Sequence, residues 1–88
     1  NVLSVDSEQI LAETSVYPNP IKNQFTIKTT LKNLNEISIT IFNVIGKKVF
    51  EQKGLTSKNI DVSNLKNGIY ILKIMTETQQ KTIKLIKR

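Results

Sequence analysis

The strongest constraint on this chain is a period of two in short apolar runs. In Glu36–Phe42, Ile37, Ile39 and Ile41 alternate with Ser38, Thr40 and Phe42. Alternation at every second residue matches the pleat of a strand with one face buried, and no helix reproduces it. Residue choice agrees: there are 13 Ile, 6 Val and 9 Thr against a single alanine, Ala12. β-Branched side chains are stiff at χ1 and sit better on a sheet than on a helix.

Seven such runs occur from Ser15 onward: Ser15–Tyr17, Gln24–Thr30, Glu36–Phe42, Lys47–Lys53, Asn59–Val62, Ile69–Thr76 and Lys81–Lys87. Phe25 and Ile27 face inward in the second, and Ile60 and Val62 share a phase in the fifth. The sixth is apolar on both faces, which places it mid-sheet or under cover on both sides. Turn residues separate the runs. Asn43-Val44-Ile45-Gly46 fits a type I turn with Gly46 left-handed, closing a hairpin by a bulge. Pro18-Asn19-Pro20 stops the first strand. Seven short strands with frequent turns predict an all-β sandwich or small barrel. Tyr70, just after the corner at Leu65–Gly68, favours a seven-stranded antiparallel immunoglobulin-like β-sandwich, in which such a tyrosine bonds back to the backbone. A plain core aromatic is the competing reading of Tyr70.

Eighty-eight residues make one domain, with a modest core and no room for a deep cleft. Residues 1–14 read as a linker to an upstream cargo and residues 15–88 as the domain; a helical turn across Ser7–Leu11 and docking of Ile10 and Leu11 are open. The chain begins at Asn1 and reads as a piece of a longer protein. No apolar run approaches the roughly 20 residues of a membrane-spanning helix. Cysteine is absent, so the core holds without disulfides. The net charge of +6 is uneven: residues 1–13 hold three acids and no base, while all 13 basic residues lie further on. A basic body suits an anionic partner, and lysines equally protect strand edges from pairing.

The chain shows little of an active site; its composition allows a Ser–Lys dyad, but nothing in the sequence positions one. It has no His, which excludes Ser-His and Cys-His pairs and the usual zinc sets. Its acids are dispersed, and Gly46, Gly54 and Gly68 stand alone at turns instead of forming a phosphate loop. The expectation is a non-enzyme without metal or cofactor. Nucleic-acid binding needs exposed aromatics among basic residues. Phe25 and Tyr70 look core-facing, and Phe42 and Phe50 flank one hairpin as a weak platform, so no nucleic-acid partner is expected.

Four motifs in order carry a resemblance. They are Tyr17-Pro18-Asn19-Pro20 before a Phe25 strand; Asn43-Val44-Ile45-Gly46 with Val49; Leu65-x-x-Gly68-x-Tyr70-Ile71-Leu72-Lys73-Ile74; and the terminal Lys81–Arg88. Together they resemble the C-terminal sorting domain of the type IX (Por) secretion system of the Bacteroidetes. The resemblance implies a sandwich that directs an upstream cargo through the periplasm and across the outer membrane to the cell surface. Its implied partners are an outer-membrane translocon, shuttle proteins and a sortase-like peptidase. The peptidase would remove the domain and join the cargo to an anionic lipopolysaccharide. No cofactor is implied. The functional positions would fall on Pro18, Asn19, Pro20, Gly46, Gly68, Tyr70 and the terminal strand around Lys84.

The terminal strand has its own physical reading. Ile83 and Leu85 alternate with Lys84, so one face packs on the core. Lys84, Lys87 and Arg88 are expected to project to solvent or to a partner, which makes Lys84 and Lys87 candidate binding residues. A strand at the chain end can offer its edge to a partner by strand addition. The alternative function is an adhesive or carbohydrate-binding sandwich that stays on the mature protein; the lack of Trp counts against it.

Overall fold

The computed structural model describes residues 14–31 and 33–88. The helical turn across Ser7–Leu11, the docking of Ile10 and Leu11, and all of the linker but Thr14 lie outside these residues. Seven strands follow in chain order: β1 (Ser15–Tyr17), β2 (Gln24–Lys28), β3 (Ser38–Asn43), β4 (Lys48–Lys53), β5 (Asn59–Asp61), β6 (Gly68–Met75) and β7 (Gln80–Lys87). They form two sheets, β1-β2-β5 and β4-β3-β6-β7, with every strand pair antiparallel. Consecutive strands change sheets between β2 and β3, β4 and β5, and β5 and β6. This all-β sandwich matches the expected class.

The alternation read from sequence sets the core. Phe25, Ile27 and Ile60 come from the smaller sheet, and Ile39, Ile41, Tyr70, Leu72, Ile74 and Leu85 from the larger. Ile37, Leu55 and Val62 close the core from the connections. Burying one such aliphatic side chain contributes roughly 1.5–3 kcal/mol, so the facing sheets are the main source of stability. β6 is mid-sheet, between β3 and β7. Its inward residues are Tyr70, Leu72 and Ile74; its other face is not fully covered, and Ile69 is 45% exposed.

Two sequence expectations change. Glu36 does not start a strand. Leu34–Glu36 forms a single 3-10 turn, and Glu36 N–H donates to the Asn33 carbonyl (3.1 Å). Ile37 N–H donates to the Leu34 carbonyl (2.9 Å), and Leu55 N–H is shared between the Leu34 and Ile37 carbonyls, both at 3.1 Å. The extra turn drops Ile37 into the core before β3 begins. Phe42 and Phe50 do not form a platform, because Phe50 pairs with Ile41, and Phe42, the next residue along β3, faces the other way. Phe50 pairs with inward Ile41 and packs against the core, whereas Phe42 pairs with Lys48. The two rings therefore occupy opposite faces.

Candidate recognition surface

The Pro-Asn-Pro entry is built around the missing donors of its prolines. Neither Pro18 nor Pro20 has an N–H to offer a neighbouring strand; both preceding peptide bonds are cis. Asn19 supplies the bonding from its side chain. Its Nδ2 donates to the Lys84 carbonyl (2.9 Å) and its Oδ1 accepts from Ile86 N–H (3.1 Å). A carboxamide carries a donor and an acceptor side by side, as a peptide group does, so it can stand in for a strand partner. Ile21 continues the pairing with its backbone: its N–H donates to the Ile86 carbonyl (2.7 Å), and its carbonyl accepts from Arg88 N–H (2.9 Å). This is a parallel bridge between Ile21 and Lys87, and it anchors a fully buried Ile21 side chain. Residues 19–21 thus cap the outer edge of β7 from Lys84 to Arg88. Pro18 and Pro20 line an open hollow beside this clamp, with Lys22, Asn23 and Gln24.

β7 presents two faces. Ile83, Leu85 and Lys87 point inward; Leu85 is completely buried and Lys87 is only 6% exposed. Lys84 is exposed on the other face. The expectation that Lys87 projects to solvent is therefore corrected. Lys87 lies two residues beyond Leu85 and must share its side of the sheet. No buried side-chain nitrogen or oxygen lacks a partner among the described residues. The Lys87 stem is what is buried, and its ammonium reaches the rim, as long basic side chains do. Arg88 is exposed as expected. Lys81 bridges the sheets, donating from Nζ to the carbonyl of buried Thr14 (2.7 Å).

Tyr70 is both a core aromatic and a corner. It is 8% exposed, and its hydroxyl donates to the Lys66 carbonyl (2.6 Å), four residues upstream. It lies opposite Leu85, and Gly68 lies opposite Lys87, so both sit under the clamped end of β7. The sequence candidates Pro18, Asn19, Pro20, Gly68, Tyr70, Lys84 and Lys87 therefore converge on one end of β6 and β7. Gly46 lies at the same end of the sheet but across β6 from β7, at the β3–β4 turn. Its φ of +88° is one that side-chain-bearing residues resist, and its N–H donates to the Asn43 carbonyl (3.0 Å). Ile21 was not singled out from sequence. Its part is a parallel contact with a strand more than sixty residues away, and no local pattern encodes that.

The resolved electrostatic shifts are confined to the surface. The lowered carboxylate pKa values belong to exposed groups. Glu51 is held down by the hydrogen bond and charge of Lys48 (3.0 Å), and Asp61 by the backbone and side chain of Ser63. Among the described residues no three His, Cys, Asp or Glu side chains gather where they could hold a metal. What the end of β6 and β7 offers is backbone-clamped shape, exposed lysine and a proline-lined hollow.

Comparison with known proteins agrees with the motifs. The chain is 43% identical over 75 residues to ulvan lyase NLR42 of Nonlabens ulvanivorans, covering 82% of this chain and 13% of the relative. It is 33% identical over 82 residues to an endo-acting ulvan lyase of Formosa agariphila, covering 90% of this chain and 16% of the relative. The chain therefore spans a small part of the length of these relatives. The family model of the secretion system C-terminal sorting domain matches residues 15–88, from the first strand to the last residue. With the sandwich, the Pro-Asn-Pro clamp and the tyrosine corner in place, the chain belongs to the Por (type IX) secretion system C-terminal sorting domain family.

Proposed function

We propose that this domain is the signal by which an upstream cargo is carried through the periplasm and across the outer membrane, and that it acts as a docking surface without catalytic work of its own. The family match over residues 15–88 carries the reading. The proposed partners are the outer-membrane translocon and its shuttle proteins. A sortase-like peptidase would then release the domain and join the cargo to an anionic lipopolysaccharide. The relatives suggest an ulvan lyase as the kind of cargo. The clamped end of β6 and β7 supports the docking role, because seven of the eight candidate residues lie on or beside these two strands there. The test is a fusion of residues 1–88 behind a periplasmic reporter in a type IX-competent host. The reporter should reach the cell surface or the medium. A reporter that stays periplasmic while a known sorting domain exports it would refute the proposal.

The cut is expected upstream of Tyr17, because the chain from Ser15 on is committed to paired strands and their connections. Mass spectrometry of the mature cargo reads this directly; an end inside Gln24–Lys87 would contradict it, since the cut would have to pass through folded sheet. A retained carbohydrate-binding role is the weaker reading. Such binding uses an exposed aromatic face, and here Phe42 and Phe50 are half-buried on opposite faces.

A further inference from the structure

The four-stranded sheet leaves apolar side chains on its outer face, concentrated toward one end. Outward from β6, Ile69 is 45% exposed and Ile71 is half-buried. The register sets Phe42 beside Ile71, and Ile86 beside Ile69. Asn43 pairs with Tyr70, so the β3–β4 hairpin projects from this same end. At its tip Val44 is 73% and Ile45 is 82% exposed.

That tip is closed by hydrogen bonds. Asn43 Oδ1 accepts from Ile45 N–H (3.1 Å) and Lys47 N–H (2.9 Å), and Asn43 N–H donates to the Lys47 carbonyl (2.9 Å). The turn needs only Asn43 and Gly46; its two central positions accept polar residues freely. Two aliphatic residues held there in water are unexplained by folding. Their surroundings are mostly basic: Lys47 follows directly and is exposed, Lys84 is exposed opposite Ile71, and Lys48 is exposed but paired with Glu51 (3.0 Å).

We propose that the Val44-Ile45 tip is an anchor that seats the domain on an anionic lipid surface, with Lys47 and Lys84 held over the headgroups. Aliphatic residues at the acyl boundary with lysines above them are the usual composition of an interfacial membrane contact. Each lysine near an anionic surface strengthens binding about fivefold. A pocket on a partner protein fits less well. Protein hot spots favour Trp, Tyr and Arg over Val, and protein interfaces are depleted in Lys. The tip carries none of the favoured residues.

The test is sedimentation of the full chain with phosphatidylcholine vesicles, with and without phosphatidylglycerol. The chain should sediment only with the phosphatidylglycerol vesicles, and less at high salt. Val44→Ser with Ile45→Ser should weaken this about tenfold, while its urea midpoint stays that of the parent because both side chains are exposed. Ile45→Trp supplies a second readout, because the chain has no other Trp. Its emission should shift to the blue on phosphatidylglycerol vesicles. A parent that ignores these vesicles, a double serine variant that binds as the parent does, or an unshifted tryptophan overturns the proposal. If the parent ignores vesicles but its export depends on Val44 and Ile45, the tip belongs to a protein pocket instead.

Discussion

At the scale of single residues, two side chains bond to the backbone in different settings. The Tyr70 hydroxyl is part-buried against the Lys66 carbonyl at 2.6 Å, and removing it leaves that carbonyl without its donor. Tyr70→Phe should cost about 1–2 kcal/mol in a urea melt, with little change of slope. Asp61 and Glu51 are both held below the usual carboxylate range, but for different reasons. Asp61 accepts from Ser63 N–H at 2.9 Å, whereas Glu51 depends on the Lys48 ammonium. A carboxylate whose pKa is lower when folded stabilises the fold above its unfolded value and loses that effect as pH falls through its folded value. Both groups are exposed, so the loss on acidification should be small. An NMR titration should place both midpoints below ordinary values. Added salt should raise that of Glu51 more, because screening weakens an exposed ion pair more than a backbone hydrogen bond.

At the scale of elements, β7 is where the proposed recognition overlaps with folding. Leu85→Ala should destabilise by about 2–4 kcal/mol, because Leu85 is fully buried. Lys84→Ala should change stability by only about 0–1 kcal/mol, since Lys84 is exposed and an isolated surface charge contributes little. Lys87→Ala should cost more than Lys84→Ala, because it removes a buried stem from the inner face. Equal melting midpoints for the two lysine variants would show that the stem contributes no packing. Asn19→Ala removes two hydrogen bonds to β7 and should cost about 1–2 kcal/mol. Amide exchange should locate the effect: Ile86 N–H, bonded to Asn19 Oδ1, should lose protection before amides paired between β3 and β6. If Ile86 keeps its protection, the side chain is not what holds the edge.

At the scale of the whole molecule, the clamp joins elements that the chain order separates. Residues 19–21 lead into β2 of the three-stranded sheet, yet they hydrogen-bond to β7 of the four-stranded sheet. Lys81 makes a second tie, from β7 to the start of β1. With one shared core and these ties, the sheets should unfold together, in one urea transition reported identically by tyrosine fluorescence and far-UV circular dichroism. Two separated transitions would mean that the ties are weak. Deletion of Lys81–Arg88 should unfold the domain and not merely open an edge, because it removes Leu85 from the core and strips β6 of its longest strand pairing. An export defect in that deletion therefore reports on folding, whereas a defect in the stable Lys84→Ala variant would report on recognition.

The local pattern carried the strands, because a period of two is a property of neighbouring residues and needs no partner to be read. It placed all seven strands, the turn at Gly46 and the inward set Phe25, Ile27, Ile39, Ile41 and Leu85. The same period puts Lys87 in phase with Leu85, and its long stem lets a charged residue take that inward position. Only the tertiary structure decided what depends on distant contacts. It turned Leu34–Glu36 into a 3-10 turn that Leu55 closes. It also used Asn19 and Ile21 to cap the far end of the chain. The physical reason is the same in each case: hydrogen bonds between residues far apart in sequence are chosen by the packed sheets and leave no trace in a local window.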